Sequence, residues 1–276
     1  MKKRSYIGML RYCIYQMSKA WFVLPLYFLG NQIVTYIILL LRTSSHIWIE
    51  SSMFALVGID ALAILVLAIF GLTKSFEFYN TAAACGVSRK TSALAQITAY
   101  GITAFVMMGE CMLLTWLYEL INAGKSILLI DLAYGPVWNI AMWGTMPAFI
   151  FNIQIFIVGS FMMWAAALFG FMFCSLYSLF PRKVAVYLSI GVPVAVLAIG
   201  GGICANWEMH GIDSDQKLSE IGNAIMKILG MRANEVIYGN IFQGCVVFII
   251  IGIIASVLGI IFSRRAPVSA EPGITM

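Results

Sequence analysis

Two carboxylic acids inside long apolar runs are the residues of this chain best suited to chemistry. Asp60 lies in the second such run and Glu110 in the third. A charge in hydrocarbon is energetically unfavourable, so an ionisable residue within a membrane span usually faces a cavity or a polar partner. Consecutive spans are antiparallel, so the two carboxylates can lie at similar depth. One interpretation is that the two carboxylates and Asn31 of the first run form a polar patch open to a cationic or amphipathic substrate. The alternative is that the carboxyl groups are hydrogen-bonded to first-run neighbours such as Gln32.

The motifs of catalytic and nucleotide-binding sites are missing from the sequence. It contains no GxxxxGK[ST], HExxH or GxSxG pattern, which are the arrangements that hold phosphates, zinc and a nucleophilic serine. The six cysteines are scattered without a CxxC pair, and neither His46 nor His210 has a second ligand cluster beside it. We therefore expect no catalytic residue, no metal site and no cofactor in this chain.

The composition predicts the elements that must position these residues. Hydrophobic residues make up 62% of the 276 and charged residues 11%, with a mean hydropathy of +0.93. A helix needs about 20 apolar residues to cross a hydrocarbon core about 30 Å thick. Six runs have that length: Trp21–Leu41, Met53–Leu72, Ala93–Tyr118, Ala148–Phe173, Val184–Cys204 and Ile241–Phe262. The sequence thus predicts an all-α polytopic membrane protein with six transmembrane helices in a single domain, residues 1–276.

The basic residues predict the orientation of these helices. Most of the 17 Lys and Arg residues flank the N-terminus, the connections after the second and fourth runs, and the C-terminus. Because cytoplasmic loops carry an excess of Lys and Arg, both termini are predicted to be cytoplasmic. The net charge of +5 follows from this topology and implies no nucleic-acid partner.

Residues 1–19 form a basic segment in front of the first run. On a helix, Ile7, Leu10, Ile14 and Met17 fall on one face, which predicts an amphipathic interfacial helix on the inner membrane surface. Two roles are open for it: an anchor to anionic lipid, or a lever beside a cytoplasmic partner.

Residues 205–240 form the longest segment predicted to lie outside the cell. Ile221, Ile225 and Ile228 make a short apolar stripe, and Ser219 precedes it as a possible cap. This pattern predicts a small helix that rests on the outer leaflet or dips into it.

The connection between the second and third runs reads FEFYNTAAACGVSRKT, residues 76–91. Its alanines favour a short cytoplasmic helix over residues 74–85. Gly86 supplies a left-handed helix stop, and Ser88 is placed to cap the next helix. A helix, a sharp turn and a new span in this order would present a small lever to a soluble partner.

This segment, with an aromatic, small residues and then GVSRKT, resembles the first cytoplasmic loop of permease subunits in the type 2 ABC exporter family. The amphipathic N-terminal segment, the short inner connection CSLYSLFPRK at residues 174–183 and the longer segment before the last run agree in outline. The predicted topology resembles that of the family over the whole chain, whereas the motif itself covers about sixteen residues.

The resemblance implies a transmembrane subunit that works with a separate ABC ATPase, which would bind ATP and Mg and perform the hydrolysis. Two permeases, as a homodimer, and two ATPases would form the working unit in a bacterial plasma membrane and would export an amphipathic peptide or antimicrobial. The coupling loop would be residues 73–92. The residues implied in ATPase coupling are Phe76, Glu77, Phe78, Tyr79, Gly86, Ser88, Arg89, Lys90, Leu176 and Arg182.

Three other interpretations remain open from the sequence. A drug efflux permease would share the architecture but carry a different cargo. A non-transporting immunity or signalling protein would use its inner loops to bind a regulator. A secondary transporter would need charges near the membrane midplane, for which only Asp60 and Glu110 are available.

Overall fold

The computed structural model describes residues 2–45, 58–122, 128, 130, 133, 148–180, 184, 214–231 and 240–265. The predicted fifth span lies outside these residues apart from Val184, and so does Arg182. Within the described part every element is a helix, which confirms the all-α class. The helices are α1 Lys2–Trp21, α2 Val23–Ser45, α3 Ile59–Ala84, α4 Arg89–Asn122, α5 Ala148–Tyr177, α6 Ser214–Ile228 and α7 Ile241–Arg265.

Four of the described helices are long and apolar enough to cross a membrane. They comprise Ile59–Ala84, Arg89–Ile121, Asn152–Tyr177 and Ile241–Arg265, and each overlaps one of the six predicted runs. This is the composition of a membrane protein. The predicted first run is mostly helical as well, as α2 of 23 residues, but it is not one of these four. The count of six spans and the cytoplasmic placement of the termini stay predictions.

The helix predicted over residues 74–85 is the continuation of a span. Helix α3 runs without a break from Ile59 to Ala84 over 26 residues, about 39 Å at 1.5 Å per residue. The apolar run ends near Leu72, but no glycine or proline follows until Gly86, so the backbone continues as a helix. Because α3 is longer than the hydrocarbon core is thick, part of it extends beyond the lipid.

Within the described residues, α5 makes the most extensive helix contacts, with α3 and with α7. Gly71 and Gly170 face each other where α3 and α5 cross. A Cβ on Gly71 would collide with the backbone carbonyl of Ala167, and one on Gly170 would collide with that of Ala68. Small residues let two helix backbones approach this closely inside a membrane.

Helix α1 packs mainly against α4 and also contacts α3. Its buried face is formed by Met9, Cys13 and Met17, whereas Ile7 is exposed. The buried stripe is therefore rotated from the face that the sequence analysis assigned to the membrane. Protein covers this stripe, and contact of α1 with the membrane surface stays a prediction.

Candidate functional site

The turn between α3 and α4 is built by local hydrogen bonds. The amide of Val87 donates to the carbonyl of Ala82 at 2.8 Å, and the amide of Gly86 donates to that of Ala83 at 3.1 Å. Gly86 has a φ of +66°. This pair of bonds around a left-handed glycine is a Schellman motif, which satisfies the last carbonyls of a helix. The predicted glycine stop is confirmed.

Helix α4 begins with the predicted serine cap. The backbone amide of Thr91 donates to Ser88 Oγ at 3.2 Å, and the two hydroxyls are 2.7 Å apart. An N-cap oxygen satisfies an amide that has no partner within the first helical turn. Cys85, Gly86, Ser88 and Lys90 are all exposed, so the turn is a short, capped and accessible tip.

Arg89 fastens this tip to the last helix. Its Nη1 donates to the carbonyls of Ser263 and Arg264, each at 3.1 Å. The last carbonyls of a helix lack partners within the helix, and a guanidinium there also interacts favourably with the helix dipole. The first residue of α4 thus caps the end of α7.

Tyr79 joins the same ends from α3. Its hydroxyl lies 3.4 Å from Ser175 Oγ of α5 and also interacts with the side chain of Ser263. The Tyr79 ring packs on Phe171, with 6.2 Å between ring centroids. Tyr79, Arg89, Ser175 and Ser263 come from α3, α4, α5 and α7 respectively; we call this group the polar junction.

Glu77 is held by two elements. Lys74 Nζ donates to its Oε2 at 2.5 Å, and the Tyr12 hydroxyl donates to its Oε1 at 3.4 Å. Both members of the Lys74–Glu77 pair are partly exposed, so this pair contributes at most about 1 kcal/mol to stability. Tyr12 also lies 3.4 Å from the Thr81 hydroxyl and therefore ties α1 to the end of α3.

The remaining predicted coupling residues differ in accessibility. Phe76 is 44% exposed. Phe78 is completely buried and forms an edge-to-face contact with Tyr12 at 5.9 Å, so its side chain belongs to the core. Leu176 is half-buried. Among the coupling residues that the structure describes, the exposed ones are therefore Phe76, Gly86, Ser88 and Lys90.

Asp60 is one of the three residues of the predicted substrate patch. Asp60 is completely buried, and its Oδ2 accepts a hydrogen bond from the amide of Ile130 at 2.8 Å. The carboxylate thereby holds the chain after α4 against the first turn of α3, where a negative charge is favoured by the helix dipole. This bond joins Asp60 to a backbone amide of another segment, and hydrogen bonding to first-run neighbours such as Gln32 stays a prediction.

Glu110 and Asn31 have different surroundings from Asp60. Glu110 is half-buried, and within the described residues its buried Oε2 has no hydrogen-bond partner. Cys111 lies close enough to both Glu110 and Asp60 to interact with them electrostatically. Asn31 is half-buried in α2. Glu110 therefore has a buried carboxylate oxygen that accepts no hydrogen bond within the described residues.

Tyr12, Ser263 and the amide of Ile130 were not predicted from the sequence. Tyr12 was detectable as an aromatic residue on a helix predicted beside the membrane. The other two had no local signal, because they act through a hydroxyl, a carbonyl or an amide supplied by a distant part of the chain. Comparisons of the chain with protein-family models, with curated proteins and with solved structures found no match.

Proposed function

We propose that this chain is the transmembrane subunit of an ATP-driven exporter of the type 2 ABC kind, with a separate ATPase that docks on the tip between α3 and α4. The observation that carries the proposal is the polar junction directly behind that tip. The turn is exposed, and its base is bonded to the ends of four apolar helices. A displacement of the turn by a bound soluble protein would therefore be transmitted to all four helices. A loose loop would absorb such a displacement by bending.

In this proposal, the residues that would bind the ATPase differ from those that would transmit its movement to the helices. Phe76 and Lys90 are exposed and would contact the ATPase, with Glu77 at the edge of the contact. Tyr79 and Arg89 lie behind them and would transmit the movement. Exposed aromatic residues contribute strongly to protein interfaces when a partner buries them.

The wider assembly follows from the same resemblance. Six spans with cytoplasmic termini, two copies of this chain as a homodimer and two ATPases in a bacterial plasma membrane would form the exporter. The ATPases would bind ATP and Mg, and this chain would have no catalytic role. An amphipathic peptide or antimicrobial would pass between the permeases, with Glu110 as the acidic group left for a cationic cargo to contact.

Affinity purification tests the proposal. The tagged chain, extracted in a mild detergent, is expected to retain a P-loop protein identified by mass spectrometry and to show ATP hydrolysis in the same fraction. Phe76→Ala should lower retention by about tenfold or more, the effect of losing a buried aromatic contact. Leu72→Ala is the matched control, because Leu72 is similarly exposed on α3 at 40% but lies one turn deeper.

A second pair of variants separates docking from transmission. Tyr79→Phe removes only the hydroxyl of the polar junction, so ATPase retention should persist while stimulation of ATP hydrolysis by cargo falls. If the wild-type chain retains no ATPase under any mild extraction, the exporter proposal fails and a non-transporting membrane protein is favoured. If Phe76→Ala and Leu72→Ala retain equal amounts, the docking surface lies elsewhere.

A further inference from the structure

Helix α6 leaves its apolar face exposed, as well as charged residues. Ile221, Ile225 and Ile228 lie on one side and are 46%, 52% and 64% exposed. Asn223, on the opposite side, is half-buried. A surface helix of a water-soluble domain instead packs its apolar stripe against the core.

The end of α6 is fastened to the beginning of α7. The side-chain amide of Gln243 donates to the carbonyls of Lys227 and Ile228 at 2.9 and 3.0 Å. The amide of Asn240 donates to the carbonyl of Gly230 at 2.6 Å. Gly230, with a φ of +69°, ends α6 in the same way that Gly86 ends α3. These bonds hold the last turn of α6 beside the first turn of α7.

The position of α7 determines what lies around α6. Helix α7 is one of the four helices long and apolar enough to cross a membrane. Its outward surface is apolar from the first turn, where Phe242 is 79% exposed, through Val246 and Ile250. In a membrane-spanning helix such a surface is covered by lipid. The end of the apolar stripe at Ile228 therefore lies at the depth where the lipid covering of α7 begins.

The charges of α6 indicate which interaction holds it there. Its ionisable residues are Asp215, Lys217, Glu220 and Lys227, two acids and two bases that cancel. Lys217 also forms an ion pair with Glu220 at 2.7 Å. Binding of a neutral amphipathic helix to a membrane depends on its apolar area, with little attraction to anionic lipid.

We propose that α6 is a membrane-surface helix whose Ile221, Ile225 and Ile228 stripe enters the lipid boundary of the leaflet in which α7 begins. Its partner is the acyl and headgroup boundary of the bilayer, whatever the headgroup charge. The helix then fixes the depth and orientation of the start of α7. This proposal does not depend on the exporter function and can fail separately from it.

Site-directed fluorescence in the full-length chain tests the proposal. An environment-sensitive fluorescent amino acid is introduced by codon suppression at position 225, or at position 223 as the matched control. The protein is reconstituted into phosphatidylcholine vesicles. Quenching by a lipid with a nitroxide high on its acyl chain should be about threefold or more stronger at 225 than at 223, since only the apolar face enters the boundary. Aqueous iodide should show the opposite order.

Three results would overturn the proposal. Strong iodide quenching at position 225 would place the stripe in water. Protection of position 225 from both quenchers would show that protein covers it. A requirement for anionic lipid would contradict binding through apolar area alone. The position 223 variant, which leaves the stripe intact, shows whether the label itself disturbs folding.

Discussion

Single residues at the tip between α3 and α4 set its geometry. Gly86 has a left-handed backbone, and no atom lies within 4 Å of the place where a Cβ would be. Any effect of a side chain at this position would therefore come from backbone conformation. Arg89, three residues later, satisfies carbonyls at the end of a helix that lies more than 170 residues further along the chain.

Gly86→Ala should destabilise the protein by about 1–2 kcal/mol, because an L side chain is strained in the left-handed region. Gly8→Ala is the control. Gly8 lies within α1 with open space around it, and alanine should stabilise a helix interior by about 0.5–1 kcal/mol. Thermal unfolding in detergent measures both changes. Shifts of the same sign would show that Gly86 does not need its left-handed conformation.

Arg89→Ala should loosen the last turn of α7. Two charge-assisted hydrogen bonds to carbonyls are lost, and for a partly exposed pair we expect about 1 kcal/mol, which corresponds to about fivefold faster amide exchange. Hydrogen exchange of residues 261–265 measures this effect. Lys90→Ala, which removes an exposed charge one residue away, should leave exchange unchanged. Equal acceleration in both variants would indicate an effect of charge alone.

At the scale of the elements, the main departure from the sequence analysis is the length of α3. The second predicted run and the helix predicted over residues 74–85 form one continuous helix, so a force on the tip would act on the same helix that crosses α5 at Gly71 and Gly170. The glycine contact places the two backbones close together. Movement of the tip would therefore reach this crossing through α3 itself.

Gly170→Ala should separate α3 from α5 and destabilise the protein by about 1–3 kcal/mol, the usual effect of overpacking a tight core. Gly101→Ala in α4 is the matched control, because the nearest atom to a Cβ there is Trp164 Nε1 at 3.5 Å, an ordinary contact. The midpoint of thermal unfolding in detergent compares them. A tolerated Gly170→Ala would show that the crossing can open without loss of stability.

At the scale of the whole molecule, two cysteines report on orientation and packing. Cys85 is exposed at the tip, whereas Cys13 is buried between α1 and its neighbours. Burial raises the pKa of the Cys13 thiol to about 12. Below that pH the reactive thiolate of Cys13 is scarce in the folded protein, so its reactivity with maleimides depends on unfolding.

A membrane-impermeant maleimide should label Cys85 in inside-out vesicles and not in intact cells, because the tip is predicted to be cytoplasmic. Cys13 should stay unlabelled at pH 7 to 9 until the protein is denatured. Cys85→Ser is the control that assigns the signal. Labelling of Cys85 in intact cells would reverse the predicted orientation.

The sequence by itself determined features that depend on neighbouring residues or on composition. The all-helical class, four of the apolar helices, the Gly86 stop and the Ser88 cap are of this kind, because apolar length, backbone freedom and a capping hydroxyl act within a few residues. The uninterrupted α3 could also have been predicted, because no glycine or proline lies between Leu72 and Gly86. The change from apolar to polar residues after Leu72 was interpreted as the end of a helix.

Only the tertiary structure decided which distant groups meet. Asp60 and the Ile130 amide are 70 residues apart, and Arg89 and the Ser263 carbonyl are 174 apart. The rotation of α1 that buries Cys13 likewise depends on the surface of α4. Every residue except proline has the same backbone amide and carbonyl groups, so the sequence does not indicate which of them a distant side chain will bond. Only helix packing shows which groups meet. Packing also distinguished Phe78 in the core from Phe76 on the surface, although both residues are phenylalanines two positions apart on one helix.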